Sequence, residues 1–224
     1  MVFILLTSPA LGVENYMRDD PYRKMASWYD TMLAPFTASL RRKTLGLYPP
    51  MSGLQVLEVG CGTGTNLVPF HEAGCRVAGI DLSPAMIAQA QKKLTDPADL
   101  RVGDAASMPY SNDQFDLIVA MLTLHEMPSK LRPMVLQEMV RVLKTSGRML
   151  LVDYQCEPHR TLLGWLGRWI TYIIERMAGG DHFKNYQDYI ARNGLPPLFT
   201  AQQLTIKKEA SAANGNIALY LLGV

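Results

Sequence analysis

The feature that most constrains this chain is the passage from an apolar run into a glycine cluster. Leu54-Gln-Val-Leu-Glu-Val59 reads as a buried strand, and it leads straight into Gly60-Cys-Gly-Thr-Gly64. Glycines there let the backbone turn sharply and approach a ligand closely. A helix is predicted to follow, through about Ala73. The rhythm then repeats. Arg76–Ile80 reads as a strand, and Ser83-Pro84 opens a helix with a hydroxyl cap and a proline at its first position. Leu100–Val102 and Phe115–Met121 read as strands, Leu131–Leu143 as an amphipathic helix ended at Gly147, and Arg148–Asp153 as the next strand. Such alternation means βαβ units and a parallel sheet, and the apolar, barely alternating strands fit a sheet covered on both faces. The predicted fold is a doubly wound α/β fold.

The flanks depart from this rhythm. Residues 1–19 read as a loosely structured lead-in, and Val2–Leu6 is too short, with no basic residue before it, for a signal peptide. From Pro21, Tyr22-Arg-Lys-Met-Ala-Ser-Trp-Tyr29 begins a helical stretch. Its apolar stripe is Met25, Trp28, Met32 and Phe36, and it breaks at Leu47-Tyr-Pro-Pro50. After Asp153 come a long helix over Arg160–Met177, a shorter one over His182–Asn193 closed by Gly194, and a stop at Leu195-Pro-Pro197. Leu204–Lys208 and Asn216–Leu222 read as two final strands joined tightly, which makes the last one antiparallel. The chain thus divides into 1–49 (lead-in and cap helix), 50–155 (ligand-binding core), 156–200 (helical insert or lid) and 201–224 (the last two strands of the sheet).

Composition narrows the function. Lys plus Arg number 22 and Asp plus Glu 20, a net charge of +2. A nucleic-acid binder needs a strongly basic face, so nucleic acid is not the expected partner. Cys61, Cys75 and Cys156 match no zinc or disulfide spacing, and a reducing, cytoplasmic setting is expected. No window approaches the roughly 20 apolar residues of a spanning helix.

Two carboxylates define the ligand of the glycine loop. Asp81, at the end of the second strand, is placed to accept both hydroxyls of an adenosine ribose. Glu58 precedes the first glycine by two residues; its charge repels a pyrophosphate and attracts an ammonium group. A dinucleotide loop also wants a third glycine later than Gly64, where Thr65 stands instead. The predicted ligand is an adenosine with a cationic end. Two other classes remain open: a nicotinamide-dependent oxidoreductase, against which Glu58 and Thr65 argue, and a non-catalytic binding protein.

Val56-Leu-Glu-Val-Gly-Cys-Gly-Thr-Gly64 resembles the signature of class I S-adenosylmethionine-dependent methyltransferases. The resemblance runs on through Gly79-Ile-Asp-Leu-Ser-Pro84, Gly103-Asp-Ala105, Phe115-Asp-Leu-Ile118 and Arg141-Val-Leu-Lys-Thr-Ser-Gly-Arg148. It implies a seven-stranded, Rossmann-like sheet and S-adenosylmethionine as cofactor. It further implies that Glu58, Gly60, Cys61 and Gly62 form the cofactor loop, with Gly60 and Gly62 facing the methionine part. Asp81 would bind the ribose and Asp104 the adenine amino group, with the Ala105 amide on the ring and Leu82 and Met86 on its faces. Thr145-Ser146 departs from the family's usual proline and glycine, which affects a turn. Tyr22–Asp30 is similar to the amino-terminal cap of the ubiquinone/menaquinone biosynthesis methyltransferases, where Tyr22 and Tyr29 would either fold over the cofactor or merely pack on the sheet.

The candidate base is His125, in Leu122-Thr-Leu-His-Glu126 just past the fourth strand, where open α/β sheets bind ligands. It either takes a proton from the acceptor or simply lines the loop. His71, His159 and His182 share no metal-ligand spacing, so surface or capping roles and no metal are expected. In the insert, Leu162, Trp165, Leu166, Trp169, Ile173 and Met177 form one apolar side. That side either covers the sheet as a lid, with Trp165 and Trp169 at the acceptor, or dips into a membrane interface. Both readings fit a small apolar or lipid-like acceptor, either a quinone precursor or a lipid head group.

Overall fold

The computed structural model describes residues 20–94, 98–156 and 161–224. The lead-in 1–19, His159 and Arg160 lie outside the described residues, as do the side chains of residues 32–36 and 178.

Five strands build the parallel part of the sheet: β1 (Gln55–Val59), β2 (Arg76–Asp81), β3 (Asp99–Val102), β4 (Phe115–Met121) and β5 (Leu143–Tyr154). The chain ends with β6 (Thr205–Ala212) and β7 (Ile217–Gly223). Strand order is β3-β2-β1-β4-β5-β7-β6, and β7 runs antiparallel to both its neighbours. The order reverses between β1 and β4, so the crevice for a ligand opens at the carboxyl ends of those two strands. Val56, Leu57 and Val59 of β1 are fully buried, as expected for a central strand covered on both faces.

Helices cover the two faces. One face carries α1 (Tyr29–Leu47), α2 (Val68–Glu72) and α3 (Pro84–Lys93), packed through Leu45, Phe70, Ile87 and their neighbours. The other carries α4 (Leu131–Val142), which supplies Val135, Leu136 and Met139 to the larger core. Between β5 and β6 lie α5 (Leu162–Ala178), α6 (Gly180–Ala191) and α7 (Pro196–Ala201). Tyr189 of α6 and Phe199 of α7 join that same core. Ser83 caps α3 as expected, its hydroxyl accepting from the Met86 amide at 3.1 Å.

Four local expectations are corrected. Residues 21–28 form turns, and the helix starts only at Tyr29; Trp28 is 51 % exposed. The helix after the glycine loop shrinks to Val68–Glu72, because turns occupy 62–67 before Pro69 enters its first turn. Leu195-Pro-Pro197 starts α7 instead of stopping the chain, since proline suits the first positions of a helix. Gly147 does not end α4. The helix stops at Val142, and residues 144–147 bulge out of β5 while Leu143 pairs with Phe115 and Arg148 with Leu117. A Cβ on Gly147 would stand 2.6 Å from the Leu143 side chain, so the bulge needs glycine there. The turn expected at Thr145-Ser146 is this bulge.

Candidate functional site

The glycine loop leaves β1 in left-handed backbone at Gly60 (φ +66°) and Gly62 (φ +52°). A Cβ on Gly60 would strike the Thr123 side chain at 2.3 Å, so the loop lies flush against the segment that follows β4. A Cβ on Gly62 would meet nothing within 4 Å, and that open space is a cradle for a ligand. Cys61 is buried between them, and burial raises its thiol well above the ordinary range, which makes it inert.

Two buried carboxylates face this loop in different states of satisfaction. Asp81 accepts the Gly62 amide on one oxygen and the Ser83 amide on the other, each at 2.8 Å. Burial raises its pKa, and those two amides oppose the shift. Among the described residues, Glu58 accepts only the Asn66 amide, at 2.7 Å on Oε1, and its Oε2 is buried without a partner. Burial pushes the Glu58 carboxyl up to about 8, against the pull of Asn66 and Arg41. An unpartnered buried carboxylate oxygen calls for a cationic donor, so the residues present fit the ammonium end of S-adenosylmethionine.

Further along the same edge, the Gly103 amide donates to the Asp81 carbonyl at 2.9 Å and sets Asp104 beside the end of β2. The Asp104 carboxylate accepts the Ala106 amide at 2.8 Å, and Ala105 is buried. Met86 is buried and Leu82 half-buried. All the residues expected at the cofactor therefore gather at the carboxyl ends of β1, β2 and β3.

The segment before α1 closes over this edge. Asp20 accepts the Ser83 hydroxyl at 2.8 Å and the Ala85 amide at 3.1 Å. Asp30 accepts the hydroxyls of Thr63 (2.6 Å) and Thr65 (3.0 Å) and pairs with Lys93. Thr65, read from sequence only as a departure from a dinucleotide loop, is thus part of a clasp between the glycine loop and the cap. Tyr22 and Tyr29 meet edge to face at 5.9 Å, and the Tyr22 hydroxyl donates to Glu126 at 3.1 Å. Burial raises the Tyr29 phenol, reinforced by Glu126, Asp81, Asp30 and Glu175.

Beyond β4, His125 sits in a 3-10 turn (Leu124–Glu126) and is 2 % exposed. Its Nδ1 lies 2.7 Å from Asp153, whose other oxygen accepts the amides of Leu124 and His125. Asp153 is thus wholly committed to holding the loop and the ring. The His125 Nε2 faces Glu175 at 3.8 Å and Glu126 at 4.0 Å. Burial would lower its pKa, but Asp153, Glu126 and Glu175 outweigh it and push it up to about 9. Glu175 accepts the Tyr154 hydroxyl at 2.7 Å and lies 2.5 Å from the His182 Nε2. Burial alone would raise Glu175, yet the two histidines hold it low.

The sequence pointed to His125 but not to Asp153, Glu175, His182 or Glu126 around it. The one local signal was Asp153, an acid ending an apolar strand just as Asp81 does. Arg132, also unforeseen, anchors the insert. It is buried, donates to the Leu124 carbonyl at 3.1 Å and to the Asn185 carbonyl at 2.6 Å, and pairs with Asp188 at 2.8 Å.

The insert also brings a correction. The apolar side of α5 does not roof the site: Leu162, Trp165, Trp169, Ile173 and Met177 are 50–82 % exposed, while Glu175 points inward. Polarity explains the inversion. The Asn216 amide donates to the Gly164 carbonyl at 3.0 Å, and a Cβ on Gly167 would come within 2.5 Å of that amide. The glycine side of α5 therefore docks, and the tryptophans turn out. Trp165, Arg168, Trp169 and Tyr172 border a cavity of about 230 Å³ on that outer side. Tyr186 and Tyr189 of α6 are buried.

The fold and the crevice define a Rossmann-like protein whose glycine loop abuts an acid with one oxygen unpaired among the described residues. Residues 56–147 match the family described as "Methyltransferase domain". That match supports the resemblance to class I S-adenosylmethionine-dependent methyltransferases, whose cofactor is S-adenosylmethionine. It is 34% identical over 131 residues to a phosphatidylethanolamine N-methyltransferase of Cereibacter sphaeroides, covering 56% of this chain and 63% of that one. It is 29% identical over 140 residues to a demethylmenaquinone methyltransferase of Renibacterium salmoninarum, covering 62% and 57%. The chain therefore spans somewhat less than two thirds of the length of these relatives. Among solved structures, the magnesium protoporphyrin IX methyltransferase of Synechocystis, with bound S-adenosylhomocysteine, superposes with a TM-score of 0.57 at 17% identity, over 94% of this chain and 86% of that one.

Proposed function

We propose that this protein transfers a methyl group from S-adenosylmethionine to a small amphiphilic acceptor, a quinone precursor or a lipid head group. The observation that carries the reading is the cap segment: Asp20 holds Ser83 and Asp30 holds the glycine loop, while Tyr22, edge to face with Tyr29, donates to Glu126 beside His125. The cap thus bridges the cofactor-side residues and the His125 cluster at the same sheet edge.

When bound, the cofactor supplies an electrophilic methyl group on a sulfonium. Glu58, Gly60, Cys61 and Gly62 hold its amino-acid end, Asp81 the ribose, Asp104 and Ala105 the adenine edge, and Leu82 and Met86 the ring faces. Tyr22 and Tyr29, drawn down by Asp20 and the Asp30 clasp, exclude water. Asp153 fixes the His125 ring so that Nε2 faces the acceptor side. Alignment of two bound reactants is worth about 7–11 kcal/mol, whereas a proton-transfer group contributes about 10²–10⁴-fold. His125 therefore acts first as a positioning group at the acceptor. The insert, residues 156–200, borders this space with Glu175, His182 and Tyr186.

Two features support an amphiphilic acceptor. The exposed side of α5 sets Trp165 and Trp169 beside Arg168 and Arg176 and turns its acid, Glu175, inward, which suits an anionic membrane surface. No described helix is long and apolar enough to cross a membrane, and the contact proposed here is a peripheral one. The two similar proteins above are also named for a phospholipid and a quinone. The test is transfer of labelled methyl from S-adenosylmethionine to a demethylated quinol and to phosphatidylethanolamine vesicles. Label in an organic-soluble product is expected. A chain that binds S-adenosylhomocysteine yet labels only water-soluble acceptors overturns the acceptor class, and one that does not bind it overturns the whole reading.

A further inference from the structure

We infer that His125, Glu175 and His182 form a binding site for one divalent transition-metal ion, between the loop after β4 and the turn joining α5 to α6. Each residue offers one ligand atom, and those atoms all lie within 4.8 Å of one another. The set is two imidazoles and one carboxylate, which suits ions such as Zn²⁺, Fe²⁺ and Mn²⁺. Glu126, half-buried, lies 4.0 Å from the His125 Nε2 at the edge of this set.

Ion-to-ligand distances of about 2.0–2.2 Å place the ligands of a tetrahedral ion about 3.3–3.5 Å apart. The His125 Nε2 is 3.8 Å from Glu175, too far for a hydrogen bond and close to that spacing. The contact between His182 and Glu175 must open from 2.5 Å, as it does when an ion replaces the shared proton. Side-chain torsions absorb these changes, since Glu175 and His182 flank the Gly179-Gly180 turn.

The surroundings match what a metal site requires. Asp153 lies 2.7 Å from the His125 Nδ1 and so aims Nε2 at the cluster, and the Tyr154 hydroxyl donates to the Glu175 carboxylate from behind. Such outer partners orient metal ligands and raise their basicity. Three carboxylates (Asp153, Glu126 and Glu175) crowd two imidazoles, so the pocket calls for added positive charge. The ligands come from the core loop and from two helices of the insert, so the ion would clip the insert to the core. The inference does not depend on the identity of the acceptor.

The test uses the full chain stripped with a chelator and titrated with Zn²⁺ alone, read by calorimetry and thermal melting. One equivalent is expected to bind with a micromolar or tighter constant and to raise Tm. Asp153→Asn is expected to weaken binding by about 10–100-fold, and His182→Gln and Glu175→Gln by at least as much. Retained binding of S-adenosylhomocysteine shows that these variants fold. With Co²⁺ the unmodified chain should develop visible absorption bands of low-symmetry N/O coordination, a readout that needs no variant. Absence of both heat and Tm shift at millimolar Zn²⁺ overturns the inference. So does binding that is unchanged in His182→Gln.

Discussion

Replacing Glu58 by Gln should make the protein more stable and bind its cofactor less well. Glu58 is 1 % exposed, and its carboxyl is pushed from 4.5 up to about 8. In the unfolded chain the group ionises near 4.5, while in the folded one it keeps its proton until about 8. The unfolded state thus binds fewer protons between those values, and stability falls with rising pH across that window by about 1.4 kcal/mol per unit. Below pH 4.5 the contribution is fully present; above pH 8 it is gone. At pH 7 about 2.5 units of that window have been crossed, which amounts to about 3 kcal/mol. Gln mimics the protonated carboxyl and removes the unfolded chain's gain on ionising, so Tm at pH 7 should rise by roughly 6–12 °C. The ammonium end of S-adenosylmethionine stabilises the ionised form, so binding at pH 7 should release a proton. Calorimetry in buffers of different ionisation enthalpy reads that release as a slope, and Glu58→Gln should abolish the slope. Loss of one charge-assisted hydrogen bond of about 1.5–3 kcal/mol should weaken binding about 10–100-fold. A variant with unchanged Tm at both pH 5 and pH 7 and unchanged affinity would falsify the reading of Oε2 as an open position for the ligand.

Asp81→Ala should weaken S-adenosylhomocysteine binding by about 100-fold or more in calorimetry, since it removes an acceptor for two ribose hydroxyls and frees the Gly62 and Ser83 amides. His125→Ala should leave that affinity intact and lower turnover by about 10²-fold or more in a labelled-methyl assay; equal turnover would leave the cap and glycine loop as the whole of the machinery. Asp30→Ala breaks the clasp to Thr63, Thr65 and Lys93. It should weaken the cofactor severalfold and speed amide exchange over residues 20–30, because a half-exposed ion pair contributes only about 0.2–1 kcal/mol. Trp165→Ser combined with Trp169→Ser should reduce flotation with anionic vesicles while leaving S-adenosylhomocysteine binding unchanged.

What the sequence made legible was whatever a local pattern enforces. Gly60 to Gly64, Asp81 and Ser83-Pro84 each serve their own strand or helix end, so their roles follow from neighbours in the chain, and all stand where expected. The mostly parallel sheet and its antiparallel last strand followed from the βαβ rhythm and the two final strands. What stayed hidden depended on contacts across long separations. Glu175 and His182 meet His125 only because Arg132 and Asn185 pin α6 to the 3-10 turn, and no spacing announces that. Misreading the apolar side of α5 has the same origin. Period alone says that a helix has an oily face and a polar one, and burial normally goes to the oily face. Here Gly164 and Gly167 let the other face approach Asn216, and Glu175 gains Tyr154 and His182 as partners there. An inward acid costs free energy unless it is paired, and an outward Trp loses burial unless something covers it. The first condition is met within the chain, and the membrane contact proposed above would meet the second. Under that proposal, the inverted helix would join Glu175, beside His125, to the surface from which an amphiphilic acceptor would come.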